Sequence, residues 1–138
     1  MRILILCTGN SCRSQMAHGF LQSLDNTIEV RSAGTNPAKS VNKRAIFVMS
    51  ESGIDISTHT PENVSKYIND EWDYVITVCD NARETCPLFQ GKVKHWLHMG
   101  FEDPSEFKGT EAQTINEFRK IRHKIKTAFY AFYKGKLI

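Results

Sequence analysis

The first residues with clear chemical potential are a cysteine and an arginine near the N-terminus. Cys7 and Arg13 have five residues between them in the segment CTGNSCRS, which directly follows the apolar run Ile3 to Leu6. Backbone N–H groups of a loop between a strand and a helix can surround a tetrahedral oxyanion, and the helix N-terminus adds positive potential. That field favours the thiolate of Cys7, the nucleophilic form, and the planar guanidinium of Arg13 can grip two oxygens. The segment therefore predicts a nucleophilic cysteine at an oxyanion site.

The residues after Cys7 form what we call the anion cradle. We expect Gly9 to allow a tight turn and Asn10 to adopt an unusual φ. Ser14 is expected to cap the following helix and can donate its hydroxyl to the Cys7 sulfur. A buried cysteine before an ordinary strand-to-helix turn is the alternative. The predicted anion-binding residues are Thr8, Gly9, Asn10, Ser11, Cys12, Arg13 and Ser14.

Two further cysteines are candidates for redox chemistry. Cys79 ends a predicted strand, and Cys86 lies in a polar segment with six residues between the two. Cysteines of this kind can also be small buried hydrophobic residues, which is the alternative interpretation. Cys12 lies inside the cradle, where we assign it no redox step.

A loop at Gly100 to Pro104 supplies a candidate general acid. An oxyanion leaving group needs a proton from a positioned acid, and Asp103 is stiffened by the proline that follows it. An Asp-Pro pair alone indicates only a turn. Next to an oxyanion cradle we interpret Asp103 as the acid, with Glu102 as the second candidate.

The pattern along the chain alternates strands with helices. This favours an α/β fold with a parallel sheet, organised as one domain over residues 1–138. In such sheets ligands bind beyond the carboxyl ends of the strands, so Cys7 and Cys79 should lie at the same edge. The expected strands are Ile3 to Leu6, Ile28 to Arg31 (closed by Ser32 to Gly34), Asp73 to Cys79 and Val93 to Leu97. The expected helices run from Ser14 to about Leu24, from Asn42 to Ser52 with Gly53 as the C-cap, from Pro61 or Glu62 to about Ile68, and from Glu111 to Tyr133.

Composition narrows the class of protein. The chain has 138 residues, 18 basic and 15 acidic, for a net charge of +3 without any basic run, so nucleic acid is not an expected partner. No segment resembles a signal peptide or a membrane span, which leads us to expect a cytoplasmic protein without membrane association. Because the cytoplasm disfavours permanent disulfides, cysteines there are more often catalytic, redox-active or metal-bound. We expect a monomer.

The string CTGNSCRSQMA resembles the signature of the low-molecular-weight protein tyrosine phosphatase superfamily. Within it, CRSQMA is similar to the thioredoxin-coupled arsenate reductases more than to the phosphatases, which commonly have proline at Gln15. The resemblance extends over nearly the whole chain, through Ser32 to Gly34, Ile54 to Ser57, Val78-Cys79 and Asp103-Pro104. It implies a flavodoxin-like open sheet of four parallel strands with helices around it and an active site centred on Cys7.

The spacing of Cys79 and Cys86 also resembles the arsenate reductase branch, and the phosphatase branch lacks this pair. The resemblance implies that Cys7 attacks arsenate and that Cys79 then forms a disulfide with Cys7 and releases arsenite. It also implies that Cys86 then attacks Cys79, which frees Cys7 and leaves a Cys79–Cys86 disulfide. If residues 80–86 form a helix, the two cysteines are about 10 Å apart along its axis. A disulfide tolerates at most roughly 7 Å between Cα atoms. The segment should therefore unwind on oxidation and present the disulfide to an external reductant, for which we expect thioredoxin.

Two other functions stay open at this stage. A phosphatase acting on phosphoesters would share the cradle and the acid, although Ser105 replaces the aromatic residue usual after the acid pair in that branch. Phosphate and sulfate are then expected as competing oxyanions. A zinc or redox-sensing module would use Cys79, Cys86, His95 and His98, but the first spacing is too wide for a zinc knuckle.

The resemblance also raises potassium as a cofactor. Many thioredoxin-coupled members carry glutamate after Met-Ala and use it in a potassium site beside the cradle. This chain has His18 there, while Asn10, Ser32 and Thr60 remain as oxygen ligands. We expect no tightly bound cofactor and little stimulation by potassium.

Overall fold

Four parallel strands form a single open sheet. In the computed structural model, which describes residues 1–138 and every side chain except that of Arg83, the sheet order is β2-β1-β3-β4. The strands are β1 (Arg2–Cys7), β2 (Glu29–Gly34), β3 (Trp72–Thr77) and β4 (Val93–His98). The predicted α/β fold with four parallel strands is confirmed.

The central strand explains why the sequence begins with an unbroken apolar run. Residues Ile3 to Leu6 are fully buried in β1, as expected for a parallel strand with strands on both sides. Cys7 is in register with Gly34, and Leu6 is in register with Thr77. The carboxyl ends of β1, β2 and β3 therefore meet at one edge of the sheet.

Four α-helices surround the sheet. They are α1 (Arg13–Leu24), α2 (Lys43–Glu51), α3 (Asp80–Thr85) and α4 (Glu111–Phe132). A capping box formed by Thr110 and Gln113 begins α4, which packs against α1 and α2. Its buried stripe consists of Thr114, Phe118, Ile121, Ile125, Phe129 and Phe132. Single helical turns occur at Val64–Lys66, Pro104–Glu106 and Tyr133–Leu137.

Several boundaries differ from the prediction. β2 continues through Gly34 because Ser32, Ala33 and Gly34 still pair with β1, whereas β3 already ends at Thr77. The helix expected from Pro61 or Glu62 to Ile68 is reduced to one turn at Val64–Lys66. The reason is that the preceding backbone pairs with the end of β2: the Gly34 N–H donates to the Glu62 carbonyl at 2.8 Å.

Two glycines have structural roles that the sequence could only partly indicate. Gly53 has a φ of 74° just after the last residues of α2, which agrees with its predicted role in ending that helix. Gly34 is required for another reason, because an added Cβ would lie 2.3 Å from the Thr8 carbonyl oxygen. The backbone of β2 thereby supports the anion cradle directly.

Within the part of the chain that the structure describes, no helix combines the length and apolar character needed to cross a bilayer.

Candidate active site

The anion cradle is held in shape by a buried asparagine. Asn10 has a φ of 51° and no exposed surface, whereas Gly9 does not take the left-handed conformation. The Asn10 carboxamide oxygen accepts hydrogen bonds from the Gln15 side chain at 3.1 Å and from the Glu62 N–H at 3.0 Å. Its amide donates to Ser14 Oγ at 2.7 Å. Asn10 therefore provides the unusual φ that we predicted for it and ties the loop to α1.

The start of α1 differs from the prediction that Ser14 caps it. The N-cap residue is Cys12, and in the described chain no side chain caps this helix. Ser14 lies inside α1 instead, because its buried hydroxyl is the acceptor for Asn10. The first-turn N–H groups of α1 are thus left for another acceptor, which is the arrangement that binds an oxyanion at a helix N-terminus.

Arg13 and Asp103 meet at the mouth of the cradle. The Arg13 guanidinium donates to the Phe101 carbonyl at 3.0 Å and lies 3.5 Å from one Asp103 oxygen. The other Asp103 oxygen accepts from the N–H and the hydroxyl of Ser105, at 3.0 and 2.7 Å. The loop that carries the predicted acid is thereby fixed beside the predicted anion-binding arginine.

Cys7 and Cys79 form a hydrogen-bonded pair of sulfurs. The hydrogen bond from Cys7, foremost, lowers the pKa of the Cys79 thiol to about 5, with further support from Thr8 and the Ala82 N–H. The same hydrogen bond, together with burial, raises the pKa of Cys7, while Arg13 acts in the opposite direction. The hydrogen bond therefore favours the thiolate on Cys79 rather than on Cys7, contrary to the prediction made from the cradle alone. The prediction that both sulfurs lie at one edge of the sheet is confirmed.

Cys79 also begins the short helix that separates it from Cys86. Its sulfur accepts the Ala82 N–H at 3.4 Å, which makes it the N-cap of α3, and lies 3.3 Å from Thr8 Oγ1. Cys86 follows the last residue of α3 and is partly exposed. The helix that we assumed for this segment is therefore present, with one cysteine at each end.

The other two thiols, those of Cys12 and Cys86, have raised pKa values in this fold. Burial, foremost, raises the pKa of Cys12 to about 12, so this thiol stays protonated. Burial also raises the pKa of Cys86. All four cysteines are free thiols.

Two site residues have contacts that the sequence analysis missed. Thr8 was predicted only to bind the anion, but its hydroxyl also lies 3.0 Å from Asn81 Oδ1 and so connects the cradle to α3. His98 was considered only as a zinc ligand. It bridges Thr77 Oγ1, at 2.8 Å, and Asp80 Oδ1, at 3.0 Å. Its place at the carboxyl end of β4 was the signal that could have identified it.

Two histidine rings, tilted relative to each other, lie in contact near Ser32 and Gln15. The His18 and His59 ring centroids are 4.5 Å apart, His18 Nδ1 lies 2.9 Å from Ser32 Oγ, and His59 Nδ1 lies 3.0 Å from Gln15 Oε1. Burial, and secondly the neighbouring His59, lower the pKa of His18 to about 3, so this ring is neutral. His59 thus supports Gln15, which holds Asn10, and His18 packs against His59.

These elements surround an open cleft of about 1120 Å³. That volume admits an inorganic oxyanion and also larger phosphoesters. Among the predicted site residues, Ser14 and Cys86 lie outside the lining. The lining side chains or backbone come from Cys7, Thr8, Gly9, Asn10, Ser11, Cys12, Arg13, Thr35, Asn36, Cys79, Asp80, Asn81, Thr85, Gly100, Phe101, Glu102, Asp103 and Glu106.

Known proteins share both the sequence and this architecture. Residues 2–136 match the family described as low molecular weight phosphotyrosine protein phosphatase. An arsenate reductase of Oceanobacillus iheyensis is 42% identical over 133 residues, covering 96% of this chain and 94% of the relative. A solved arsenate reductase in the phosphate-binding state superposes with a TM-score of 0.80 at 30% identity, over 96% of each chain. A thioredoxin-dependent arsenate reductase of Corynebacterium glutamicum matches with a TM-score of 0.59 at 28% identity, over 94% of this chain and 61% of that one. The chain therefore belongs to the low molecular weight phosphotyrosine protein phosphatase family.

Proposed function

We propose that this protein is a cytoplasmic arsenate reductase that is regenerated by thioredoxin. The observation that carries the proposal is the placement of Cys79 in hydrogen-bonding contact with Cys7, where both cysteines line the cleft of the oxyanion cradle. A hydrolytic phosphatase needs one nucleophilic sulfur. A second sulfur beside the first is useful when the bound anion can accept two electrons, as pentavalent arsenic does.

The first step joins arsenate to Cys7. The α1 N-terminus and Arg13 bind the oxyanion, and the proton of Cys7 passes to an oxygen of the bound anion, so that Cys79 remains a thiolate. The Cys7 sulfur then forms a bond to arsenic as one As–O bond breaks. Asp103, placed beside Arg13, protonates the departing oxygen, which leaves as water.

The second step reduces the arsenic. Cys79 thiolate attacks the Cys7 sulfur, the S–As bond breaks, and its electron pair stays on arsenic as arsenite leaves. Two thiols are oxidised to one disulfide while arsenic gains two electrons. The contacts of the Cys79 sulfur with Thr8 and with the Ala82 N–H hold it next to the cradle.

The third step moves the disulfide away from the cradle. Cys86 thiolate attacks the Cys79 sulfur and releases Cys7 as a thiolate. Since α3 separates Cys79 from Cys86 by seven positions, or about 10 Å of helix rise, α3 must unwind for the two sulfurs to bond. Formation of the first disulfide aids this, because a Cys79 sulfur bonded to Cys7 is a weaker acceptor for the α3 N-terminus.

Hydrogen exchange of the reduced and oxidised protein tests this switch. We expect the amides of Asp80 to Cys86 to lose protection in the oxidised protein, while α4 keeps its protection because no relay residue lies on it. Equal protection of α3 in both states would exclude unwinding. The Cys86→Ser protein treated in the same way is the control, since it cannot complete the third step.

Turnover tests the proposed function as a whole. Arsenate should drive NADPH consumption when thioredoxin and thioredoxin reductase are present, and omission of any one of the three components should stop it. Phosphate and sulfate, which fit the same cradle, should inhibit competitively. NADPH consumption that does not depend on arsenate would refute the proposal.

Potassium should have little effect on this protein. Two of the candidate oxygens already have protein partners: Asn10 Oδ1 accepts from Gln15 and Glu62, and Ser32 Oγ is hydrogen-bonded to His18. A neutral imidazole also replaces the carboxylate that would attract a cation. The side chains present therefore do not fit a potassium ion. We expect melting temperatures in potassium and sodium chloride to agree within about 2 °C.

The matched control for potassium is His18→Glu. This substitution restores a carboxylate next to the same oxygens and should produce a higher melting temperature in potassium than in sodium. A clear potassium response of the unaltered protein would show that the histidine does not remove the site.

A further inference from the structure

Two exposed apolar side chains lie close to the segment that follows Cys86. Leu88 is 83% exposed and Trp96, on β4, is 51% exposed. The ring of Phe89 meets the Trp96 ring edge-on, at 5.2 Å between centroids, and is itself packed against the core. We call Leu88, Phe89 and Trp96 the Cys86 patch. Apolar side chains exposed beside a redox-active segment form a candidate surface for contact with another protein.

The patch lies on the face of the sheet that carries the redox segment. Trp96 and His98 are two residues apart on β4, so their side chains point to the same face. His98 contacts Asp80 at the beginning of α3, and Trp96 contacts Phe89 three residues beyond Cys86. The segment from α3 to Phe89 therefore runs along this face, with Cys86 between two fixed contacts.

The patch is also anchored independently of α3. The N–H groups of Gln90 and Gly91 both donate to the Ile68 carbonyl, at 2.8 and 3.0 Å. An added Cβ at Gly91 would lie 2.1 Å from the Asp70 carbonyl oxygen, so the backbone is tightly fitted there. Unwinding of α3 would move Cys86 but leave Phe89 and Trp96 in place. The patch thus remains available beside the disulfide after the switch.

We propose that the Cys86 patch is the docking surface for a thioredoxin-type dithiol protein while that protein reduces the Cys79–Cys86 disulfide. The proposal rests on the proposed function, which requires such a reductant. Transient redox complexes have small interfaces, and tryptophan is among the residues that most often dominate binding energy. One half-exposed tryptophan, with an exposed leucine adjacent in sequence to its ring partner Phe89, fits a partner that must bind, exchange electrons and leave.

Docking here directs the partner to Cys86. Cys86 is partly exposed, whereas Cys79 is 5% exposed. The partner's thiolate attacks the Cys86 sulfur, a mixed disulfide forms, and the Cys79–Cys86 bond breaks with its electron pair on Cys79. The second thiolate of the partner then attacks the partner's first sulfur, the one bonded to Cys86 in the mixed disulfide, and frees Cys86. The partner leaves oxidised, and both cysteines of this chain are reduced.

The test uses the double variant Leu88→Ser/Trp96→Thr, in which threonine keeps a strand-forming residue on β4. Thioredoxin-coupled turnover should show a KM for thioredoxin raised at least about tenfold. Turnover driven by dithiothreitol, which needs no docking surface, should be unchanged. Tyr130→Ala is the matched control, because Tyr130 is an aromatic residue of α4 that is 50% exposed, and this variant should keep the original KM.

A single turnover without reductant separates this proposal from the proposed function. The unaltered protein and the double variant should each release one equivalent of arsenite. An unchanged KM for thioredoxin in a variant that completes this turnover would overturn the docking surface. An equal loss of the dithiothreitol-driven rate would overturn it too, by placing the defect in the relay. Dimerisation of the unaltered protein that the double variant abolishes would assign the patch to a second copy of this chain.

Discussion

Replacing Cys79 by serine is expected to abolish thioredoxin-coupled arsenate reduction, by at least about a thousandfold, while phosphoester hydrolysis survives. Without the second sulfur, the arsenate adduct on Cys7 can only return to arsenate by hydrolysis. Hydrolysis of a simple phosphoester requires only Cys7, Arg13 and the acid. Its rate should be equal or higher near neutral pH, because the hydrogen bond with Cys79 is the main reason that the pKa of Cys7 is raised. Arsenite formation and release of para-nitrophenol from para-nitrophenyl phosphate are the two measurements.

Cys12→Ser is the matched control for this substitution. Cys12 is also buried beside the cradle but has no step in the relay, so this variant should keep both activities within a few-fold. Loss of both activities in Cys79→Ser would indicate a damaged cradle and would remove the evidence for a separate redox role.

Replacing Cys86 by serine should block a later step of the reaction than replacing Cys79. Cys7 and Cys79 remain, so this variant should release one equivalent of arsenite per protein chain and then stop as a Cys7–Cys79 disulfide. The steady-state rate with thioredoxin should fall by at least about a hundredfold, because that disulfide lies inside the buried cradle and away from the exposed surface. Arsenite quantified at millisecond to minute times measures the burst.

The serine variants of Cys86 and Cys79 distinguish the two sulfurs. Cys79→Ser should show no arsenite burst, whereas Cys86→Ser should show a full one. Continuous turnover of Cys86→Ser with thioredoxin would contradict a relay of three cysteines and would leave Cys7 and Cys79 as the complete redox site.

The positions of Cys7 and Cys79 could be predicted from the sequence because they depend on a general rule. Cys7 ends one buried strand and Cys79 follows another, and parallel strands end at one edge of a sheet, so short-range patterns were sufficient. The left-handed φ at Asn10 was predictable for a similar reason, since asparagine tolerates this conformation better than most residues.

The supporting contacts could not be predicted because they depend on residues that are distant in sequence. Serine is a residue type preferred at helix N-caps, yet the Ser14 hydroxyl accepts a hydrogen bond from the Asn10 side chain. The orientation of Asn10 in turn depends on the Glu62 backbone. The helix expected near Pro61 gave way to pairing with Gly34. In each case a tertiary hydrogen bond outweighed a local preference, which itself is worth only about 1 kcal/mol.

The most direct test of the central claim is the disulfide content of the protein after one equivalent of arsenate without reductant. Peptides from protein alkylated in acid should contain a Cys79–Cys86 disulfide, while Cys7 and Cys12 carry the alkyl group, and one equivalent of arsenite should be present. A Cys7–Cys12 disulfide, or four alkylated cysteines alongside unchanged arsenate, would contradict the proposed route of electrons.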